Sequence, residues 1–225
     1  MSKGYEWGHV AEPYWEGKPV AIIGNGPSTR GLAVDRLRGR FHVLAVKAAI
    51  FDIPWADAGF GLDFPRYQEW HRRLFGVTFP VYWGIVNFTY IPTPTPDHVF
   101  FLHRIDRPAG LSDDPSFVNA GGTSGFGAFN LAWLKRARRV YLFGFDYHPD
   151  KKGAWHADET HYQVARGQTP GLWEAWAKHW ATVAPKIKAA GVEVINVSPT
   201  SLITAFPKIS IEEALDGEAS RADAA

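Results

Sequence analysis

Three short stretches of this chain combine residue types that handle phosphates and protons. The first is Ile23-Gly24-Asn25-Gly26-Pro27-Ser28, which follows the apolar run Val20-Ala21-Ile22-Ile23. Glycines here would let the backbone approach a phosphate or ribose, and a helix start after them would offer free N–H groups to an anion. The spacing is not G-x-G-x-x-G, so an ordinary strand-to-helix turn fits the residues equally well. The second stretch, Gly121-Gly122-Thr123-Ser124-Gly125, places two hydroxyls where an apolar helix begins. Backbone N–H and Oγ groups there can take a phosphate, and Thr123 or Ser124 can alternatively serve as an N-cap. In the third, Tyr141, Asp146 and Tyr147 bracket the end of an apolar strand. An aspartate at a strand end can hold a ribose hydroxyl, a metal or a histidine. The phenols can bond a phosphate or steady a leaving oxyanion, with a core role as the other reading of Tyr141.

Four further groups, His148, His156, Asp158 and His161, fall in a polar segment just beyond. Unperturbed imidazole titrates near pH 6.5, so any of these histidines could move a proton. The run His156 to His161 lacks the His-Glu-x-x-His spacing of a helical zinc site, and no metal site is expected. The basic runs Lys135–Arg139 and His71–Arg73 read as solvated helix ends.

These residues need a frame that brings them together. Pro19–Gly24, Phe41–Val46, Ala58–Asp63, Thr78–Trp83, His98–His103, Arg139–Phe145 and Val192–Val197 read as strands. Helices are predicted after the first glycine turn (Leu32, Val34 and Leu37 as apolar positions), over Pro65–Phe75, Gly125–Ala137 and Trp173–Ala190. Ser210 with Glu213 is a capping-box pattern. Asp106–Gly122 reads as loop, and Asn87–Asp97, with Pro92, Pro94 and Pro96, as a stiff linker or lid. Alternating strands and helices predict an α/β fold with a mainly parallel, doubly wound sheet flanked by helices. In such sheets ligands sit beyond the carboxyl ends of the strands, where Gly24–Ser28, Asp63, Gly121–Gly125 and Asp146–His161 would converge.

The 225 residues suit one domain over 18–215, with a lead-in at 1–17 and a disordered tail at 216–225. Lys plus Arg number 24 against 23 Asp plus Glu, which argues against a broad nucleic-acid footprint. The absence of cysteine excludes disulfides, cysteine nucleophiles and thiolate metal sites. No secretory signal is visible at Met1–Trp15, and no run approaches the roughly 18 apolar residues of a membrane span, so a cytoplasmic protein is expected. Ten tryptophans serve either packing or stacking on a base or sugar.

The ordered set Ile23–Ser28, Thr123–Gly125, Val140–Tyr147, His161-Tyr162 and Ser198–Phe206 resembles the bacterial sialyltransferase group. It also resembles the related Rossmann-like superfamily that includes archaeal 6-hydroxymethylpterin diphosphokinase and flagellin-modifying glycosyltransferases. It is similar as well to small phage-encoded members of that superfamily. The resemblance spans about residues 19–206 and implies a transferase. A nucleotide-activated donor, with a CMP-sugar favoured, would be bound by Gly24, Asn25, Gly26, Pro27, Ser28, Thr123, Ser124, Gly125 and Asp146. His161 would be the general base, with His156 as its understudy, and Tyr141 and Tyr147 would assist the leaving phosphate without a metal. Lys47, Asp63 and Ser201 would meet the substrate. The acceptor hydroxyl could belong to a glycan, a small molecule or a modified base, and a homo-oligomer is left open. Three positions depart from the family pattern: Gly121 stands where an arginine is expected, and Lys47 and Asp63 where asparagines are. Two alternatives follow: a diphosphokinase that uses ATP and Mg²⁺ on a pterin-like alcohol, and an inactive nucleotide-binding or scaffold protein.

Overall fold

The computed structural model describes residues 15–86, 91, 94–106, 110–148 and 171–222. Eight strands form one sheet: β1 (Val20–Ile23), β2 (His42–Val46), β3 (Ala58–Leu62), β4 (Val81–Ile85), β5 (Val99–Ile105), β6 (Phe117–Asn119), β7 (Arg139–Phe143) and β8 (Glu193–Asn196). Their order is β6-β5-β4-β3-β2-β1-β7-β8, and every pairing is parallel. The chain steps outward from β1 to β6, then returns to lay β7 on the other side of β1. The carboxyl ends of β1 and β7 therefore flank the topological switch point, where adjacent connections diverge and leave a crevice.

The strands read as continuous apolar runs because both faces of the sheet are covered. One face, carrying Val20, Ile22, Val140 and Leu142, packs under α3 (Ser124–Leu134) and α4 (Leu172–Ala189). The other, carrying Ala21, Ile23, Tyr141 and Phe143, packs under α1 (Ala49–Asp52), α2 (Phe64–Leu74) and α5 (Ile211–Ala222). Much of the tryptophan content is packing. Trp180 on α4 meets Phe126, Phe129 and Phe145 edge-on, and Trp70 and Trp83 meet each other in the opposite layer.

Several expectations are corrected. The stretch after the first glycine turn is not an α-helix but two 3₁₀ turns, Pro27–Thr29 and Val34–Leu37, separated at Gly31, whose φ is +76°. Asp106–Gly122 is not all loop, since β6 lies within it and pairs with β5. β7 ends at Phe143, two residues before the expected end. Residues from 216 on open not as a tail but inside α5, which the expected capping box starts: Ser210 N–H donates to Glu213 and Glu213 N–H to Ser210 Oγ. Most of the 1–17 lead-in and much of Asn87–Asp97 lie outside the described residues. Among the described residues no helix is long and apolar enough to cross a membrane.

Candidate functional site at the sheet's carboxyl edge

The turns after β1 and β7 are fused to each other. Gly24 N–H donates to Phe143 O at 2.8 Å and Gly26 N–H to Gly144 O at 2.9 Å. A Cβ on Gly26 would lie 2.8 Å from the Gly144 carbonyl carbon and closer still to its oxygen and to Asp146 Oδ2. Gly144 itself has φ +72°, open to glycine at little cost. The Gly-x-Gly spacing is therefore dictated first by one turn lying directly on another.

Asp146, 1% exposed, is the clasp of this junction. Its Oδ2 accepts Ser28 N–H at 3.1 Å and Ser28 O–H at 2.8 Å, and its Oδ1 accepts Thr200 O–H at 3.1 Å. Ser198 Oγ accepts Phe145 N–H at 2.9 Å and ties the turn after β8 to the same point. Hydrogen bonds to a charged group contribute about 1.5–3 kcal/mol each. Asp146→Asn, which turns one acceptor oxygen into a donor, is expected to cost about 2–3 kcal/mol, read as a lowered midpoint in urea. Above the clasp lies an open groove of about 670 Å³ bordered by Pro27, Ser28, His148, Pro199, Thr200 and Glu212.

The second expected loop meets this edge through α3. Thr123 caps the helix, its Oγ1 accepting Phe126 N–H at 3.2 Å. The amides of Ser124 and Gly125 have no hydrogen-bond partner among the described residues, so two N–H groups at the positive end of the helix dipole remain available. Tyr147, 8% exposed and left-handed at φ 56°, lies with its hydroxyl 3.1 Å from Thr123 Oγ1 and accepts Trp180 Nε1–H at 3.1 Å. Burial pushes its pKa above the ordinary tyrosine value, so the phenol stays protonated at neutral pH. Its hydroxyl is occupied by protein partners and reaches the site through Thr123. His179, unremarked in the sequence, holds the same loop through Nδ1 and Gly121 O at 2.8 Å.

A third group stands at the ends of β2, β3 and β5. Lys47 has φ 56° and Asp63 φ 73°, non-glycine residues in a region that costs about 1–2 kcal/mol per residue. Arg104 bridges Asp63 and Asp106, with 2.8 Å from Nε to Asp106 Oδ2. Lys47 is half-buried, and burial lowers its pKa. Asp63 opposes that shift, and the like charges of Arg66 and Arg104 reinforce it.

The expected residues thus divide. Gly24, Asn25, Gly26, Pro27, Ser28, Thr123, Ser124, Gly125, Asp146, Lys47 and Asp63 share the carboxyl edge of the sheet. Tyr141 does not. It sits in the middle of β7, 1% exposed against Phe41, and its hydroxyl donates to Glu218 of α5 at 2.5 Å. Strand alternation points it into the α5 layer, away from the edge. Tyr141→Phe is expected to lower stability by about 1–2 kcal/mol and leave turnover within about twofold; paired unfolding and rate measurements check both. Ser201 is likewise structural: its hydroxyl donates to Phe145 O and its oxygen accepts Ile203 N–H, at 4% exposure. His156 and His161 lie outside the described residues.

No protein-family model and no curated protein matches this sequence. Solved structures do match in shape. A sialyltransferase CST-II solved with a trisaccharide acceptor and CMP superposes with TM-score 0.52 at 16% identity, covering 86% of each chain. The monofunctional alpha-2,3-sialyltransferase Cst-I of Campylobacter jejuni gives TM-score 0.53 at 15% identity, covering 92% of this chain and 84% of that one. CstII of Campylobacter jejuni with cytidine-5'-monophosphate gives 0.52 at 14%, covering 87% and 86%. At these identities the likeness shows the fold: a Rossmann-like parallel sheet flanked by helices.

Proposed function

We propose that this chain is a glycosyltransferase that moves a sugar from a nucleotide-activated donor, a CMP-sugar, to a hydroxyl acceptor. The observation that carries the reading is the switch-point crevice. The clasped β1 and β7 turns, the groove above them and the open amides of α3 converge at one sheet edge. The fold is shared with sialyltransferases solved with CMP, which supports a cytidine nucleotide in that place.

The nucleoside lies along the Gly24–Ser28 turn, and the phosphate meets Thr123 and the amides of Ser124 and Gly125. The acceptor oxygen attacks the anomeric carbon as the bond from that carbon to the phosphate oxygen breaks. The acceptor proton passes to His161, with His156 as the substitute base, and the nucleotide leaves with the bonding electron pair. Charge developing on the phosphate faces the dipole end of α3, preorganised by the Tyr147–Thr123 contact.

The diphosphokinase alternative needs carboxylates free for Mg²⁺. Asp146 is committed to Ser28 and Thr200, and Asp63 is bonded to Arg104 with Lys47 also in electrostatic range, a setting that repels a divalent cation. These residues do not fit the ion, and no step runs through it. Incubation with CMP-, UDP- and GDP-sugars and a panel of hydroxyl acceptors, with EDTA present, tests the proposal. Release of CMP coupled to glycoside formation is expected; release only with ATP and Mg²⁺ would overturn it.

A further inference from the structure

The cleft between α1 and the last turn of α2 holds a charged group that the fold does not use. α2 leaves the carboxyl end of β3 and returns to the amino end of β4, so its last turn lies on a flank of the sheet away from the β1/β7 crevice. A cavity of about 350 Å³ opens there, walled by Ile50, Phe51, Pro54, Val77 and Phe79, with exposed Arg73 completing the lining. Ile50, Val77 and Phe79 are buried parts of the core, which fixes the walls. The Arg73 guanidinium lies over the Phe51 ring, 3.9 Å from its centroid. Its fork is not spent on the helix end. Gly76 N–H donates to Arg73 O and Val77 N–H to Leu74 O, both at 3.1 Å, and His98 Nε2 lies 3.0 Å from Leu74 O. Glu69 pairs with Arg66, and Asp52 of α1 forms no ion pair with Arg73. Among the described residues the Arg73 side chain has no hydrogen-bond acceptor.

An exposed arginine alone says little, because water solvates it well. Arg73 differs in being held flat on an aromatic ring beside a cavity. A stacked guanidinium keeps its N–H donors in a fixed fork, so gripping a carboxylate costs it less rotamer freedom than a waving side chain would lose. The cavity stands at the small end of the range of about 300–1,000 Å³ that ligand sites occupy. A fork next to a small apolar cavity describes a ligand with a flat apolar body and one carboxylate. We propose that this cleft binds a small arylalkyl carboxylate, with its ring against Val77 and Phe79 and its carboxylate in a two-pronged bond to Arg73. The modest volume favours a free acid over a segment of a protein. The inference does not depend on the nucleotide-donor reading, since no residue of the cleft belongs to that edge.

The test is an amide-shift NMR titration of the full chain with phenylacetate and hydrocinnamate, with their neutral amides, and with a short peptide ending in phenylalanine. Saturable shifts gathered at Phe51, Gly76, Val77 and Thr78, with a Kd of about 0.1–1 mM, are expected for the two acids. The neutral amides should bind at least about tenfold more weakly, and so should the acids to Arg73→Gln. Arg73→Lys keeps the charge without the planar fork and should fall between. Thr78→Trp, an exposed change in the cavity lining, should block the acids while leaving the Arg73 charge in place. The amide spectrum and unfolding midpoint of each variant check its fold. No saturable shift with either acid, shifts gathered at the Gly24–Ser28 edge instead, or equal affinity in a folded Arg73→Gln would each overturn the inference. Shifts at the cleft with the peptide but with neither free acid would also overturn it and assign the cleft to a protein partner.

Discussion

Gly26→Ala is expected to cost more than about 4 kcal/mol and to abolish nucleotide binding. The added carbon would fall on the Gly144 carbonyl and the Asp146 carboxylate at once. Neither can step aside. The Gly144 carbonyl accepts Gly26 N–H in the bond that joins the two turns, and Asp146 is held by Ser28 and Thr200. Relief therefore requires separating the β1 and β7 turns, which strips a buried carboxylate of its donors. Gly17→Ala is the control. A Cβ there would have no neighbour within 4 Å, and the change should stay within about 0.5 kcal/mol. Urea unfolding of the two variants measures the contrast. A Gly26→Ala protein as stable as wild type would show that the fused turns are not the support of this edge.

The second large effect is kinetic. His161→Ala is expected to lower turnover about 10²–10⁴-fold while leaving nucleotide affinity unchanged, because a general base acts on the acceptor proton and not on the donor. The acidic limb of the pH–rate profile should disappear with it. His156→Ala is the comparison, and its effect should be smaller if His161 is the base. A His161→Ala enzyme with the wild-type rate would remove this residue from the chemistry. A variant that lost nucleotide binding as well as turnover would recast it as a donor contact.

The strands of the inner sheet were legible because two-sided burial leaves an unbroken apolar signature in Val20–Ile23, Leu44–Val46 and Val140–Phe143. β6 was not, since three residues in an Asp-, Pro- and Gly-rich stretch acquire strand geometry only by pairing with β5. The apolar spacing of Leu32, Val34 and Leu37 imitated a helix, but Gly31 at positive φ interrupts it and two 3₁₀ turns result. The stretch from Glu218 is polar enough to read as a tail. Its order comes from a tertiary partnership, with Glu218 buried against Arg139 and Tyr141.

The candidate site was legible in place and less so in role. Gly24–Ser28, Thr123–Gly125 and Asp146 do converge at one edge, as parallel topology requires. Asp146 faces inward because two hydroxyls and an amide reach it from separate loops, a closure that no local pattern announces. Tyr141 faces the α5 layer because strand alternation turns it inward and Glu218, distant in sequence, takes its hydroxyl, a pairing that no local pattern announces. The left-handed backbone of Lys47 has no sequence signature, since lysine does not favour positive φ; Asp63 is of a type that tolerates it, but aspartate alone does not announce it.

The central claim is that the crevice between β1 and β7 holds the nucleotide of an activated sugar. Calorimetric titration of CMP into the full chain, with EDTA present and repeated on Asp146→Asn, tests it most directly. Saturable, metal-independent binding that weakens in the variant is the predicted result. Absence of heat with CMP, UDP, GDP and ADP alike, or binding of ATP only when Mg²⁺ is added, would contradict it.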